Sequence, residues 1–65
     1  MAIYGFKTKN SEYHVNFANK IVQGGKLKSP LYFVDCQIII GSKARFLLPN
    51  GSVWETSIVK EYLSV

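Results

Sequence analysis

"LYFVDCQIII", residues Leu31 to Ile40, is the longest β-prone run in the chain, and its placement decides the fold. Side chains alternate along a strand. As one strand, the run therefore puts Tyr32, Val34, Cys36, Ile38 and Ile40 on a single apolar face. Asp35 and Gln37 interrupt the opposite face, whose middle is expected to meet solvent. The polar loop "KLKSP" precedes the run and ends at Pro30, and "GSK" turns the chain after it.

Working outward, turn residues punctuate the sequence often, and the segments between them favour strands. "AIYGFKT" (residues 2–8) reads as a first strand and "KNS" as a tight turn. "EYHVNF" alternates with the period of a half-buried strand: Tyr13, Val15 and Phe17 face one way, Glu12, His14 and Asn16 the other. "ANK" turns into the short strand "KIVQ", which Gly24-Gly25 ends. "ARFLL" and "VWETS" flank "PNGS", whose Asn50-Gly51 pair favours a two-residue type I′ hairpin. "IVKEYL" reads as a last strand or one helical turn. Five or six short strands without an amphipathic helix predict an all-β, antiparallel single domain over residues 1–65. Closing such a sheet protects its edges, so a small SH3-like barrel is expected, with a small β-sandwich or rolled sheet as the alternative.

A chain of 65 residues buries only about 60% of the surface its unfolded form exposes. Cys36 is the lone cysteine, so no disulfide forms within the chain, and one Cys with one His cannot complete a structural zinc site. Stability must come from apolar packing, for which 48% hydrophobic and 14% aromatic residues suffice, or from self-association as a homodimer. The apolar runs are far shorter than the roughly 20 residues of a membrane span. "MAIYGFKTKN" lacks the basic and apolar regions of a signal peptide, so with an unpaired cysteine a cytoplasmic location is expected.

Catalysis is poorly supported. His14 sits at an outward strand position with Glu12 as its nearest same-face acid, and it reads as an exposed strand residue. A Cys36–His14 dyad would need Cys36 to leave the apolar face, where free thiols act as packing residues. Glu12, Asp35, Glu55 and Glu61 are dispersed, and Gly24-Gly25-Lys26 is too short for a phosphate-binding loop. No enzyme activity, cofactor or metal is expected.

The formal charge of +4 favours nucleic acid or an acidic protein as partner. The candidate contacts are Lys7 and Lys9 on the first strand beside His14; Lys20, Lys26 and Lys28 around the glycine turn; and Lys43 with Arg45 at the start of a later strand. Small barrels combine such basic grooves with aromatic platforms. Here Tyr4, Tyr32 and Trp54 are candidates, and core packing is the competing reading for Trp54 and Tyr4. A protein-docking patch at Tyr32, Phe33 or Ile39 is the rival interface.

Thr8, Asn10, Ser11 and Tyr13 form a T-x-N-S-x-Y opening, and Gly51, Thr56, Ser57 and Val59 form a closing G…T-S-x-V hairpin. In these residues the chain resembles a group of small bacterial and phage-borne proteins that has no established biochemical activity. The resemblance implies an architecture and a mobile-element origin. By analogy with small phage proteins, it points to a non-catalytic module that binds and blocks a host protein or ribonucleoprotein, such as a nucleic-acid-guided defence nuclease. Direct nucleic-acid binding through the lysine-rich turns is the alternative.

Overall fold

The computed structural model describes residues 3–64. Its strands are β1 (Ile3–Lys7), β2 (Glu12–Asn16), β3 (Ile21–Gly24), β4 (Leu31–Tyr32), β5 (Asp35–Gln37), β6 (Lys43–Leu47), β7 (Val53–Ile58) and β8 (Glu61–Ser64). They form two sheets, ordered β4-β3-β2-β1-β8 and β5-β6-β7, and every pairing between named strands is antiparallel. No helix is present among the described residues. Ala2, which the sequence reading places in the first strand, lies outside them.

The Leu31–Ile40 run does not form one strand. Phe33 donates its amide to the Lys20 carbonyl at 3.0 Å, whereas Val34 donates to the Leu47 carbonyl at 2.7 Å. The chain thus leaves the five-stranded sheet and enters the three-stranded one between adjacent residues. A second corner lies between β7 and β8. There Val59 donates to Ser42 and Lys60 donates to Lys7, at 2.9 and 2.7 Å. The chain is therefore a meander of six runs, two of them bent, and its ladders stop at the bends. The all-β antiparallel class follows the sequence, but the sheets do not close into a barrel.

At the first corner the expected facing is reversed for Tyr32, Phe33 and Val34 and regained from Asp35 to Ile38. Phe33 is 5% exposed, while Tyr32, Val34 and Ile40 are 62%, 49% and 50% exposed. Cys36 and Ile38 are partly buried against the core, and Asp35 and Gln37 face solvent as expected. A bend changes the strand's facing, so strict alternation cannot carry through it.

Elsewhere alternation holds. Tyr13 and Val15 on β2, and Ala44 and Phe46 on β6, point into a core shared with Phe6, Val22, Phe33 and Val59. Phe46 lies at its centre, with ring centroids 6.2 Å from Phe6, 5.3 Å from Phe33 and 5.4 Å from Trp54. Burying each such ring or branched side chain contributes roughly 1.5–3 kcal/mol. Phe17 departs from the expected pattern: β2 ends at Asn16, and Phe17 sits in the following turn, exposed. Tyr4 departs as well. A register irregularity between Ile3 and Gly5 turns its ring outward, where it stacks on His14 with centroids 6.0 Å apart.

The "PNGS" hairpin also differs from the two-residue form. There, Pro49 would have to donate an amide to Ser52, and proline has none. Leu48 donates to Ser52 instead, at 2.8 Å, which lengthens the loop to Pro49-Asn50-Gly51. Only Gly51 among these takes positive φ, at 88°.

Candidate functional site

Two open grooves run along β7, the outer strand of the three-stranded sheet. The first, about 280 Å³, is lined by Tyr13, Lys26, Lys43, Trp54, Glu55, Thr56 and Ser57. The second, about 350 Å³, is lined by Lys9, Asn10, Lys43, Ser57, Ile58 and Lys60. Lys43 and Ser57 line both, so the two grooves adjoin along β7 as a trough lined by four lysines.

Local structure places each of these groups. Lys9 and Asn10 occupy the β1–β2 turn, which Thr8 closes by donating its amide to the Ser11 carbonyl at 2.9 Å. Lys26 follows the double-glycine turn, and its amide donates to the Tyr13 hydroxyl at 3.4 Å. Gly25 is required there, because a Cβ would come within 2.3 Å of the Tyr13 ring and φ is 53°. Tyr13 in turn supports Trp54, edge to face, at a centroid distance of 5.6 Å. Trp54 is partly buried, which joins the two sequence readings: it packs on the core and also forms part of the trough wall.

Thr56 shapes the floor. The ladder between β6 and β7 is irregular between Lys43 and Arg45, which frees the Ala44 amide from its regular partner. That amide donates to the Thr56 hydroxyl at 3.3 Å, and the hydroxyl donates to the Ser57 carbonyl at 2.7 Å. Thr56 is therefore a buried polar residue with a structural task, and Ser57 is left facing the trough.

The structure separates the remaining candidates from this site. Lys7 lies between Glu12 and Glu61, at 3.8 and 3.5 Å, with both carboxylates on neighbouring strands. The imidazole Nε2 of His14 is 3.1 Å from the second oxygen of Glu12. Lys7 and His14 thus share a patch with the carboxylates of Glu12 and Glu61. Arg45 pairs across the sheet with Glu55 at 3.2 Å. Lys20 donates its ammonium to the Val34 carbonyl at 3.3 Å and clips the first corner. Lys28 is exposed in the loop after the glycine turn, and Tyr32 is exposed on β4; neither lines the trough. Phe33, a candidate docking residue in the sequence, is core.

Sequence reasoning missed Lys60 and Ser57. Lys9, Lys26, Lys43 and Lys60 follow one another at intervals of 17 residues, yet a spacing of that length says nothing about facing until the chain's path is known.

For nucleophilic chemistry the arrangement is unfavourable. His14 faces out from the five-stranded sheet, Cys36 lies in the three-stranded one, and no hydrogen bond joins them. Partial burial, and then the adjacent Asp35 carboxylate, push the Cys36 thiol above its ordinary pKa, which disfavours the thiolate. Among the described residues, no three His, Cys, Asp or Glu side chains converge on a point that could hold a metal. No helix among them is long and apolar enough to cross a membrane.

Six of the eight residues of the T-x-N-S-x-Y and G…T-S-x-V motifs serve the fold: Thr8 and Ser11 close a turn, Tyr13 packs on Gly25, Gly51 takes positive φ, Thr56 accepts the Ala44 amide, and Val59 is fully buried at the second corner, while Asn10 and Ser57 line the trough. No family model matches the chain, and no curated protein or solved structure does so either.

Proposed function

We propose that this chain is a non-catalytic macromolecule-binding module that acts by occupying a partner's surface. One observation carries the reading. Among the described residues, ten large hydrophobic side chains are more than one-third exposed, against eight hydrophobic residues that form the core. Exposed apolar patches mark interaction surfaces more often than isolated apolar residues do. Leu47 and Val53 are paired across β6 and β7 and line a shallow depression of about 150 Å³ with Asp35, Cys36, Gln37 and Arg45. This outer sheet face, rimmed by charge, is the docking surface we favour.

In this reading the chain acts in the cytoplasm as a phage or mobile-element protein and blocks a host protein or ribonucleoprotein, with a nucleic-acid-guided defence nuclease as one such target. The resemblance in the T-x-N-S-x-Y opening supports that assignment. For the finer fold, the meander of six runs bent at two corners supports the rolled sheet over a closed SH3-like barrel.

The test is affinity capture from host lysate with and without nuclease treatment, comparing the wild-type chain with Leu47→Asp/Val53→Asp. A protein captured by the wild type and lost by that variant supports the reading. Capture that vanishes with nuclease treatment and is unchanged by Leu47→Asp/Val53→Asp overturns it in favour of a second reading, direct nucleic-acid binding. That alternative is favoured by the trough along β7, which brings Lys9, Lys26, Lys43 and Lys60 together.

A further inference from the structure

We infer that the trough along β7 holds a single-stranded nucleic acid, with backbone phosphates on Lys9, Lys43 and Lys60 and a base against Trp54 between Lys26 and Lys43. The inference rests on the second of the two readings above and names the site, the strandedness and the residues.

Charge is the first argument. The chain has eight basic and four acidic residues. Of the six lysines with no carboxylate within ion-pair distance among the described residues, four line the trough and two, Lys20 and Lys28, lie off it. None of the four has a carboxylate within ion-pair distance among the described residues. The one carboxylate lining the trough, Glu55, is held by Arg45 at 3.2 Å. Free ammonium groups concentrated in a concavity recruit a polyanion.

Shape and chemistry narrow the polyanion. The trough is concave, whereas reading a duplex takes a helix or a two-stranded ribbon inserted in the major groove. No helix is present among the described residues to fill that role, and the β6–β7 pair beside the trough buries Ala44 and Phe46 in the core instead of projecting as a free ribbon. A single strand fits a concavity and offers its unpaired bases for stacking. Trp54 supplies the aromatic surface, and Tyr13 and Phe46 hold its ring at centroid distances of 5.6 and 5.4 Å. Ser57 and Asn10 add polar groups that suit phosphate or sugar oxygens. An acidic peptide would use the lysines but has no comparable use for an aromatic wall.

Trp54 is the sole tryptophan, so its fluorescence reports on this site. The experiment titrates the chain with a 12-nucleotide oligothymidylate, a duplex of the same length and polyglutamate, following anisotropy and tryptophan emission over a salt series. Three phosphate contacts to a single strand give a slope of log K against log salt of about −2. The oligothymidylate is expected to bind with that slope, to quench Trp54, and to bind at least tenfold tighter than polyglutamate or the duplex. Lys26→Glu/Lys43→Glu is expected to weaken it at least tenfold. Lys20→Glu/Lys28→Glu changes net charge equally but lies off the trough, and its effect is expected to stay below threefold.

Circular dichroism of both variants separates loss of fold from loss of contact. Oligothymidylate binding without quenching, and weakened only by the Lys20/Lys28 variant, would overturn the trough while leaving nucleic-acid binding in place. Equal binding of polyglutamate would turn the site over to an acidic protein. No binding of either nucleic acid at 50 mM salt would sink the trough and the second reading together.

Discussion

Phe33 and Val34 are neighbours in the chain and belong to different sheets: the Phe33 amide bonds to Lys20 and the Val34 amide to Leu47. The bend between them sends Phe33 into the core at 5% exposure and leaves Val34 at 49%. Phe33→Ala should therefore cost about 3–5 kcal/mol, while Val34→Ala should stay within about 0.5 kcal/mol. Urea unfolding of the two variants checks this, and a straight strand would give the reverse order.

Gly25 sits where a Cβ would strike the Tyr13 ring, whereas Gly41, at φ 92°, has open space around it. Both glycines adopt a backbone conformation that costs other residues about 1–2 kcal/mol. Gly25→Ala should carry a steric penalty in addition, so its melting temperature should fall further than that of Gly41→Ala. Equal melting temperatures would mean that the Tyr13 ring gives way freely.

The Ala44 amide depends on the Thr56 hydroxyl where the ladder is irregular. Thr56→Val keeps the shape but leaves a buried donor unsatisfied, at about 1–3 kcal/mol. Thr56→Ser retains the acceptor and should recover most of that loss. Amide hydrogen exchange at Ala44 should accelerate in the valine variant and remain slow in the serine variant.

Cys36 has its thiol pKa raised, first by partial burial and then by Asp35. The thiolate is the reactive form. The pH at half-maximal alkylation rate should therefore lie above that of an unfolded control peptide, and Asp35→Asn should lower it part of the way. The sign for stability follows from linkage. The folded state holds this proton more tightly than the unfolded state, so stability should decline as pH rises past the ordinary thiol value. Cys36→Ala should flatten that part of the profile.

The strands themselves were legible. Alternation in "EYHVN" placed Tyr13 and Val15 inside because that segment is straight and pairs within one sheet. Turn chemistry marked the β1–β2 hairpin and the Gly24-Gly25 end of β3, but it misjudged the loop at Pro49, where a missing amide outweighed the preference of Asn50-Gly51. His14 and Glu12 were paired correctly because residues two apart on a strand share a face.

Sequence alone therefore determined an all-β antiparallel chain with a small aromatic core, since those properties rest on local period and composition. Tertiary structure decided the two corners, where adjacent amides find carbonyls in different sheets, and with them which face of "LYFVDCQIII" is buried. It also decided which charges are free. Lys7 and Arg45 meet carboxylates across the strands, whereas Lys9, Lys26, Lys43 and Lys60 gather along β7. Long-range pairing sets both outcomes, and a strand's period of two contains no information about which distant strand it will meet.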